Sequence, residues 1–313
     1  MTKIIFAGSS EFSNAILTAL LQQDEKIVYV LTQPDKPTGR GRHVQSTPVK
    51  ETALAQHIPV STPSTLRDPD IHTTLEALNA DVLLVVAYGL LIPQSILSLT
   101  PFPINVHPSL LPRWRGASPI ESPLLTGDST TGVTIMEMIP ALDAGPILKQ
   151  RAIPLHPNDN RDSLYQRLLP LSIELLSATL DDIRQHRVQK TPQDDALACY
   201  AHKWTKEQLH LNWQQPAVQL DRHIRAFATT PGAYALLNNT PIKILQATID
   251  TTLSNTPQQA GTIHQANKQG LWVQTSEHHL RITHLQIAGK KPMSIQDALN
   301  GYSHWFTPGN YFT

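Results

Sequence analysis

The chain has 313 residues, of which 40% are hydrophobic and 16% are charged, and 25 Lys and Arg residues balance 25 Asp and Glu residues. This composition supplies enough apolar side chains for a buried core and excludes a disordered chain. Zero net charge excludes a uniformly basic surface for nucleic acid, although a local basic patch remains compatible with it. The length corresponds to two domains, at roughly 100–200 residues for each.

Cysteine usage and apolar runs indicate the compartment. Cys199 is the single cysteine, so no internal disulfide can form, which is typical of a reducing environment. The apolar run at residues 4–7 is shorter than the roughly 7–15 residues of a secretory signal. The longest apolar run, residues 82–92, is shorter than the roughly 20 residues of a membrane span. We therefore expect a soluble, cytoplasmic protein without a membrane partner.

The first half of the chain alternates apolar strands with amphipathic helices. Strands are predicted at residues 3–7, 26–32, 58–61, 81–87, 103–107 and 132–138. Helices are predicted from Ser10 onward and at 47–57, 68–79 and 160–184. Buried strands that alternate with helices predict an α/β fold with a doubly wound, mostly parallel, Rossmann-like sheet.

The second half has a different pattern. Residues 189–205 predict a linker between a domain at 1–188 and a domain at 206–313. A helix at 216–227 precedes five short predicted strands at 233–237, 242–247, 261–266, 271–274 and 280–285. Short strands separated by turns predict a small, OB-like β-barrel. Residues 190–313 contain 10 Lys and Arg but 7 Asp and Glu, a mild positive excess.

Several common motifs are absent from the sequence. Gly8 follows the first predicted strand, but the chain contains neither a G-x-G-x-x-G nor a G-x-x-x-x-G-K-[ST] sequence. A dinucleotide dehydrogenase and a phosphate-loop NTPase are therefore disfavoured. The absence of G-x-S-x-G disfavours an α/β-hydrolase. The 14 histidines lack metal-ligand spacing, so we predict no metal.

The densest group of polar residues begins at the end of the strand predicted at 103–107. Asn105 and His107 are two residues apart, so both side chains project from one face of that strand. Ligands of open α/β sheets bind outside the carboxyl ends of the strands. An amide donor beside an imidazole suits oxyanion stabilisation in acyl transfer. Simple capping of the strand end is the alternative, and it is favoured for His107 taken alone.

Asp143 is the third candidate. It follows the strand predicted at 132–138 and precedes the turn residues Gly145 and Pro146. We expect its carboxylate to reach the same sheet edge, to orient His107 and to favour the protonated imidazole. The alternative is an aspartate that stabilises its own turn, which is the more frequent role of Asp before Gly.

Together these segments resemble the folate-dependent formyltransferase superfamily. The resemblance rests on Asn105-x-His107, Ser109-Leu110-Leu111-Pro112, Arg113-Trp114-Arg115-Gly116, Leu142-Asp143-x-Gly145 and the early run at residues 32–41. It extends over nearly the whole chain, and the order of the segments is specific.

The resemblance implies an enzyme with 10-formyltetrahydrofolate as co-substrate. Its formyl group would move to the α-amino group of methionyl initiator tRNA, for translation initiation. Asn105, His107 and Asp143 would form the catalytic trio. Asn105 would donate a hydrogen bond to the oxyanion, and the other two would move protons by routes that the resemblance leaves open.

The resemblance also implies binding residues. Ser109, Leu110, Leu111 and Pro112 match the family's folate-binding stretch, whose apolar side chains and stiff backbone line a flat pocket. A packed turn is the alternative for this stretch.

The loop at residues 35–47 matches an insertion that contacts tRNA in the family. Arg40 and Arg42 would engage phosphates or bases of the acceptor arm. Lys203 and Lys206 are tRNA-binding candidates in the basic C-terminal part. As an isolated charge run, the loop would instead be a solvated surface.

Two other functions share parts of this pattern. Formyl transfer to a purine precursor or an amino-sugar nucleotide would use the same catalytic core, but the loop at 39–42 and the lysine-bearing C-terminal domain disfavour it. A non-catalytic RNA-binding protein on the same scaffold is disfavoured by the intact trio. We expect a monomer with no DNA partner.

Overall fold

A computed structural model describes residues 2–38, 43–228, 230–253 and 259–313. The chain forms two compact units. The first contains the described residues of Met1–Pro119, Thr131–Ile153 and Gln166–Ala201, and the second those of Ile120–Thr130, Pro154–Tyr165 and His202–Thr313. Two internal segments thus group with the second unit. The functional domain limits at 188 and 206 stay a prediction.

A seven-stranded sheet forms the centre of the first unit. The strands up to residue 201 are β1 (Lys3–Gly8), β2 (Lys26–Leu31), β3 (Lys36–Thr38), β4 (His43–Gln45), β5 (Val60–Ser61), β6 (Val82–Val86), β7 (Phe102–His107), β8 (Arg115–Gly116), β9 (Thr130–Glu137), β10 (Ile147–Pro154) and β11 (Tyr200–Ala201). The sheet order is β10-β9-β7-β6-β1-β2-β5. Neighbours from β5 to β7 pair in parallel, which confirms the predicted α/β sheet.

Helices accompany the strands of this sheet. The helices that begin before residue 200 are α1 (Glu11–Gln22), α2 (Pro48–Ala55), α3 (Pro69–Ala77), α4 (Gln94–Leu97), α5 (Glu121–Thr126) and α6 (Arg161–Arg184). Of these, α5 and the first residues of α6 group with the second unit. Strand β6 reads Val-Leu-Leu-Val-Val and is buried along its whole length, as expected for a strand covered on both faces. The start of α2 follows its sequence signal, because Thr47 accepts a hydrogen bond from Lys50 N and a proline opens the helix.

Two elements at the sheet edge differ from the sequence pattern. β9 runs antiparallel to β7, so Glu137 lies opposite Ile104 and Thr134 opposite His107. No strand is predicted at residues 147–154, because exposed polar residues interrupt the apolar pattern there. The structure places β10 at this position, where an edge strand exposes many of its side chains.

The second unit is built on an antiparallel sheet. Its strands are β12 (Tyr234–Leu237), β13 (Thr240–Asp250), β14 (Ile263–Asn267), β15 (Gly270–Gln274), β16 (His279–Ile287) and β17 (Met293–Ser294), and its further helices are α7 (Ala217–Ala226) and α8 (Ile295–Tyr302). The order β12-β13-β16-β15-β14 contains the five predicted strands.

The two edges of this second sheet are joined by the last residues of the chain. Leu237 of β12 forms a bridge with Phe312, and Thr262, next to β14, forms one with Tyr311. This short tail closes the sheet, as a small barrel requires. No helix among the described residues is long and apolar enough to cross a membrane.

Candidate active site

Strand β7 places two of the candidate residues. Asn105 lies opposite Val85 of β6, and His107 ends the strand opposite Thr134 of β9. Both side chains are buried, and only 4% of His107 is exposed. They project from one face at the carboxyl end of a strand, where ligands of α/β sheets bind.

A main-chain carbonyl fixes the imidazole of His107. His107 Nε2 lies 2.9 Å from the carbonyl oxygen of Trp114. Because a carbonyl oxygen can only accept, Nε2 must carry a hydrogen. Trp114 has a φ of 65°, and its N–H donates to Cys199 Sγ over 3.4 Å. Any proton that the imidazole gains or loses while this hydrogen bond persists is therefore on Nδ1.

Asp143 lies on the other side of the imidazole. Its Oδ2 is 3.7 Å from His107 Nδ1 and accepts a hydrogen bond of 2.8 Å from Gly116 N. Its Oδ1 is 3.5 Å from Asn105 Nδ2. The three predicted catalytic side chains thus lie together in one polar cluster of the first unit.

The route of the chain to Asp143 differs from the expected one. Because β9 is antiparallel to β7, the loop at residues 138–146 begins beside the start of β7 and folds back to Asn105 and His107. Gly145 permits this return, since a Cβ there would overlap the carbonyl oxygen of Glu137.

The predicted folate-binding stretch is hydrogen-bonded to residues of β7, β9 and β10. Ser109 is fully buried, and its N–H donates to the carbonyl of His107 over 2.9 Å. Leu111 N donates to Thr134 Oγ1 over 3.2 Å, and Gln150 Nε2 donates to Leu111 O over 2.8 Å. Leu110 and Pro112 are half-buried. Contact of these four residues with folate stays a prediction.

Two apolar side chains remain exposed on loops of the first unit. Leu142, directly before Asp143, is 61% exposed, and Leu91, on the loop after β6, is 72% exposed. Large exposed apolar side chains beside convergent polar groups are typical of a ligand-binding surface.

Sequence reasoning missed a polar contact to the Asp143 loop. The amide of Gln193 donates to Asp143 O over 2.9 Å and to Gly145 O over 2.8 Å. Gln193 falls in the predicted linker, and no motif marks it, because the contact joins positions 50 residues apart in the chain.

The predicted tRNA-binding residues are placed only in part. Arg40 and Arg42 lie outside the described residues. Lys203 and Lys206 are both exposed in the second unit. In the part of the chain that the structure describes, neither lysine forms an ion pair, and no group of three or more His, Cys, Asp or Glu residues could hold a metal ion.

Comparisons with known proteins identify the relatives of the chain. Residues 2–180 match the formyl transferase family, and residues 203–303 match the formyl transferase C-terminal domain. A methionyl-tRNA formyltransferase of Pseudoalteromonas translucida (strain TAC 125) is 42% identical over 308 residues, which are 98% of this chain and 96% of the relative.

Solved structures share the fold at lower identity. HypX from Aquifex aeolicus in complex with tetrahydrofolic acid is 16% identical with a TM-score of 0.66, over 96% of this chain and 47% of that one. The chain thus spans about half the length of HypX. An N-formyltransferase from Helicobacter canadensis, in complex with folinic acid and dTDP-3-aminofucose, is 18% identical with a TM-score of 0.65, over 93% of this chain and 100% of that one.

Proposed function

The chain belongs to the formyl transferase family, and on that basis we propose that it transfers the formyl group of 10-formyltetrahydrofolate to the α-amino group of methionyl initiator tRNA. This reaction would serve translation initiation. The observation behind it is the polar cluster of Asn105, His107 and Asp143 in a chain that is 42% identical, over nearly its full length, to a methionyl-tRNA formyltransferase.

The reaction requires the protein to stabilise an oxyanion, to remove a proton from the amine and to supply one to the leaving nitrogen. The amine attacks the formyl carbon, and a tetrahedral oxyanion forms. The attacking nitrogen then loses a proton, while the folate nitrogen that leaves must gain one. Hydrogen-bond donors aimed at the oxyanion and groups that exchange protons are the usual means for such acyl transfer.

Asn105 suits the first task. Its Nδ2 has a long contact of 3.5 Å with Asp143 Oδ1, which is a weak hydrogen bond. An oxyanion is a stronger acceptor, so Asn105 can direct an N–H to it without loss of a strong partner. Burial of the amide strengthens that bond, because the local dielectric constant is low.

His107 suits delivery of a proton to the leaving nitrogen. Its Nε2–H is committed to the carbonyl of Trp114, so Nδ1 is the atom at which a proton is gained and released. Asp143 Oδ2 stands 3.7 Å from that atom, on the side of the ring opposite the Trp114 carbonyl.

Asp143 suits removal of a proton from the amine. Gly116 N holds Oδ2, whereas Oδ1 has, among the described residues, only the long contact with Asn105. A carboxylate with one anchored oxygen and one available oxygen can accept a proton at a fixed position.

The folate site is proposed from neighbouring residues. Leu91 and Leu142 offer exposed apolar surface on loops of the first unit. The packed backbone at Ser109, Leu110, Leu111 and Pro112 would form a rigid wall. A flat heterocycle with a few polar edges fits a pocket of that kind.

The tRNA contacts are proposed on charge. Arg40, Arg42, Lys203 and Lys206 would bind phosphates of the nucleic-acid backbone. Among the described residues, Lys203 and Lys206 are exposed cations without an ion pair. We propose that the protein acts on this tRNA in the cytoplasm, as a monomer without membrane or DNA partners.

Single-turnover formylation tests the proposed function. Wild-type protein with 10-formyltetrahydrofolate is mixed with methionyl initiator tRNA, with methionyl elongator tRNA and with an amino-sugar nucleotide. We expect formyl transfer to the initiator tRNA and its loss in His107→Ala. Transfer to the sugar alone would contradict the proposed acceptor, and folate binding without any transfer would contradict the proposed enzyme.

A further inference from the structure

Most of the predicted linker, residues 189–201, belongs to the first unit. Residues 191–201, which we name the clamp segment, belong to the first unit together with β7 and the Asp143 loop. The clamp segment contacts two loops, at residues 113–117 and 143–147. Each of these loops supplies one of the two polar groups that flank the imidazole of His107.

The clamp segment is fastened to the loop at 143–147 by backbone and by side chain. Thr191 and Ile147 exchange hydrogen bonds of 2.8 and 2.9 Å between their main chains. Two residues later, both amide hydrogens of Gln193 are used, one on Asp143 O and one on Gly145 O. The backbone of the catalytic aspartate is thereby tied directly to Gln193.

The clamp segment is also fastened to the loop at 113–117. Arg115 N donates to Cys199 O over 2.9 Å, and Ala117 N donates to Ala201 O over 2.7 Å. Gly116 lies so close to Ala201 that a Cβ on it would meet the Ala201 carbonyl oxygen at 2.6 Å. This pairing orients the Gly116 N–H that holds the Asp143 carboxylate.

Gln193 joins the two loops through one side chain. Its Oε1 accepts hydrogen bonds from Arg115 Nε and Nη2, over 3.1 and 2.9 Å. Its Nε2 donates to the carbonyl oxygens of Asp143 and Gly145. A neutral amide is the one side-chain group that accepts on one end and donates twice on the other, so no charged or apolar residue of this size can replace it.

Arg115 provides a fixed anchor for Gln193. Only 3% of Arg115 is exposed, and its Nη2 also donates to Asp195 Oδ1 over 2.7 Å. Desolvation lowers the pKa of this guanidinium, but hydrogen bonds from Arg115 to Asp195 and Tyr200 outweigh it, so the net shift is upward. A buried, permanently charged group with these partners has little freedom to move.

Asp143 is held at two points. Its φ of 47° lies in the left-handed region, which aspartate adopts more readily than most L-residues. Gly116 N holds the carboxylate, and Gln193 holds the carbonyl of the same residue. Together they fix the plane of the carboxylate relative to His107.

We propose that Gln193 is a positioning residue for the formyl transfer: through Arg115 and the Asp143 backbone it sets the geometry between Asp143 and His107. The proposed role assumes the function proposed above. It also gives the clamp segment a part in catalysis beyond that of a connection along the chain.

Two substitutions test the hydrogen bonds of Gln193. Gln193→Met keeps the length of the side chain and removes every hydrogen bond. Gln193→Glu keeps an acceptor for Arg115 but places a carboxylate oxygen against two carbonyl oxygens. We expect both to lower kcat by about 10–100-fold, the scale of a catalytic group displaced by about 1 Å, and to leave the KM values for both substrates unchanged. Gln189, exposed and just before the clamp segment, provides the control variants Gln189→Met and Gln189→Glu, which should retain kcat.

A spectroscopic measurement on the protein without substrates makes the test independent of turnover. The ¹⁵N signals of the His107 ring, assigned by their loss in His107→Gln, report its protonation and its tautomer. We expect their pH titration to change in Gln193→Met and to stay unchanged in Gln189→Met. Unchanged His107 titration with unchanged kcat of the folded protein would overturn the role of Gln193. An inactive wild type would instead overturn the proposed function.

Discussion

The Nδ1 atom of His107 lies 3.7 Å from Oδ2 of Asp143, and that oxygen already accepts a hydrogen bond from Gly116 N. In the proposed mechanism, Asp143 orients the imidazole and offers its second oxygen to the attacking amine. Asp143→Asn keeps an acceptor for Gly116 and removes the charge. We expect single-turnover formylation to slow by about 10²–10⁴-fold, as for loss of a general base.

Asp24 provides a matched control for that change. It is an exposed aspartate of the first unit and has a φ of 57°, close to the 47° of Asp143. Asp24→Asn should keep the wild-type rate. An Asp143→Asn variant that is folded and as fast as the control would exclude Asp143 as the base.

Asn105 should act on the oxyanion and hardly on substrate binding. Asn105→Ala removes the amide and is expected to lower kcat by about 10²–10³-fold, the usual effect of one lost oxyanion donor. Folate affinity, measured by calorimetry, should change little. Asn300→Ala, on the exposed side of α8, is the control. If Asn105→Ala weakened folate affinity and kept kcat, Asn105 would belong to the binding site instead.

Acid stability should depend on His223 in α7. Desolvation by burial is the first cause that lowers its pKa, to about 4, against about 6.5 in an unfolded chain. As the pH falls, the unfolded chain therefore binds the proton first. The free energy of unfolding should decrease between about pH 6.5 and 4, by up to about 3 kcal/mol, and then level off.

Urea unfolding at a series of pH values measures this effect. His223→Gln should flatten the pH dependence, and His202→Gln, an exposed histidine of the same unit, should leave it unchanged. A residual slope is expected from His279, because burial lowers the pKa of that histidine as well. Equal slopes in wild type and His223→Gln would contradict the assignment.

The parts of the site that the sequence indicated depend on local patterns. β6 is a continuous apolar run. In β7 the two-residue spacing of Asn105 and His107 sets their common face. The five barrel strands likewise follow local alternation and turn residues. These features need no information about distant partners.

The parts that the sequence did not indicate depend on long-range contacts. The antiparallel direction of β9 is set by its pairing with β7, which the apolar pattern of β9 does not encode. Gln193 reaches the Asp143 loop across 50 positions, and its polar neighbours at 189–195 suggest a solvated linker. A polar residue that satisfies buried main-chain groups has the same local signal as one in solvent.

Lys203 and Lys206 should contribute to tRNA binding through charge alone. Each cation that meets a phosphate steepens the salt dependence of binding by about one unit of log K against log salt. Lys203→Ala and Lys206→Ala should therefore weaken tRNA binding and reduce that slope, measured by filter binding between low and moderate salt. Lys26→Ala, exposed in the first unit, should keep the wild-type slope, and so would the two test variants if they do not touch tRNA.

Phe312 should be essential for closure of the second sheet. Its ring is buried, with its centroid 5.4 Å from that of Trp213, and its N–H donates to Gly261 O over 2.9 Å. Phe312→Ala should destabilise the fold by about 3–5 kcal/mol, as expected for loss of a buried aromatic ring, in urea unfolding monitored by tryptophan fluorescence. Tyr311, its neighbour in the same tail, is 49% exposed, so Tyr311→Ala should cost only about 0.5 kcal/mol. Because backbone bridges persist in both variants, equal effects would mean that the tail closes the sheet through its main chain and that the Phe312 ring adds little.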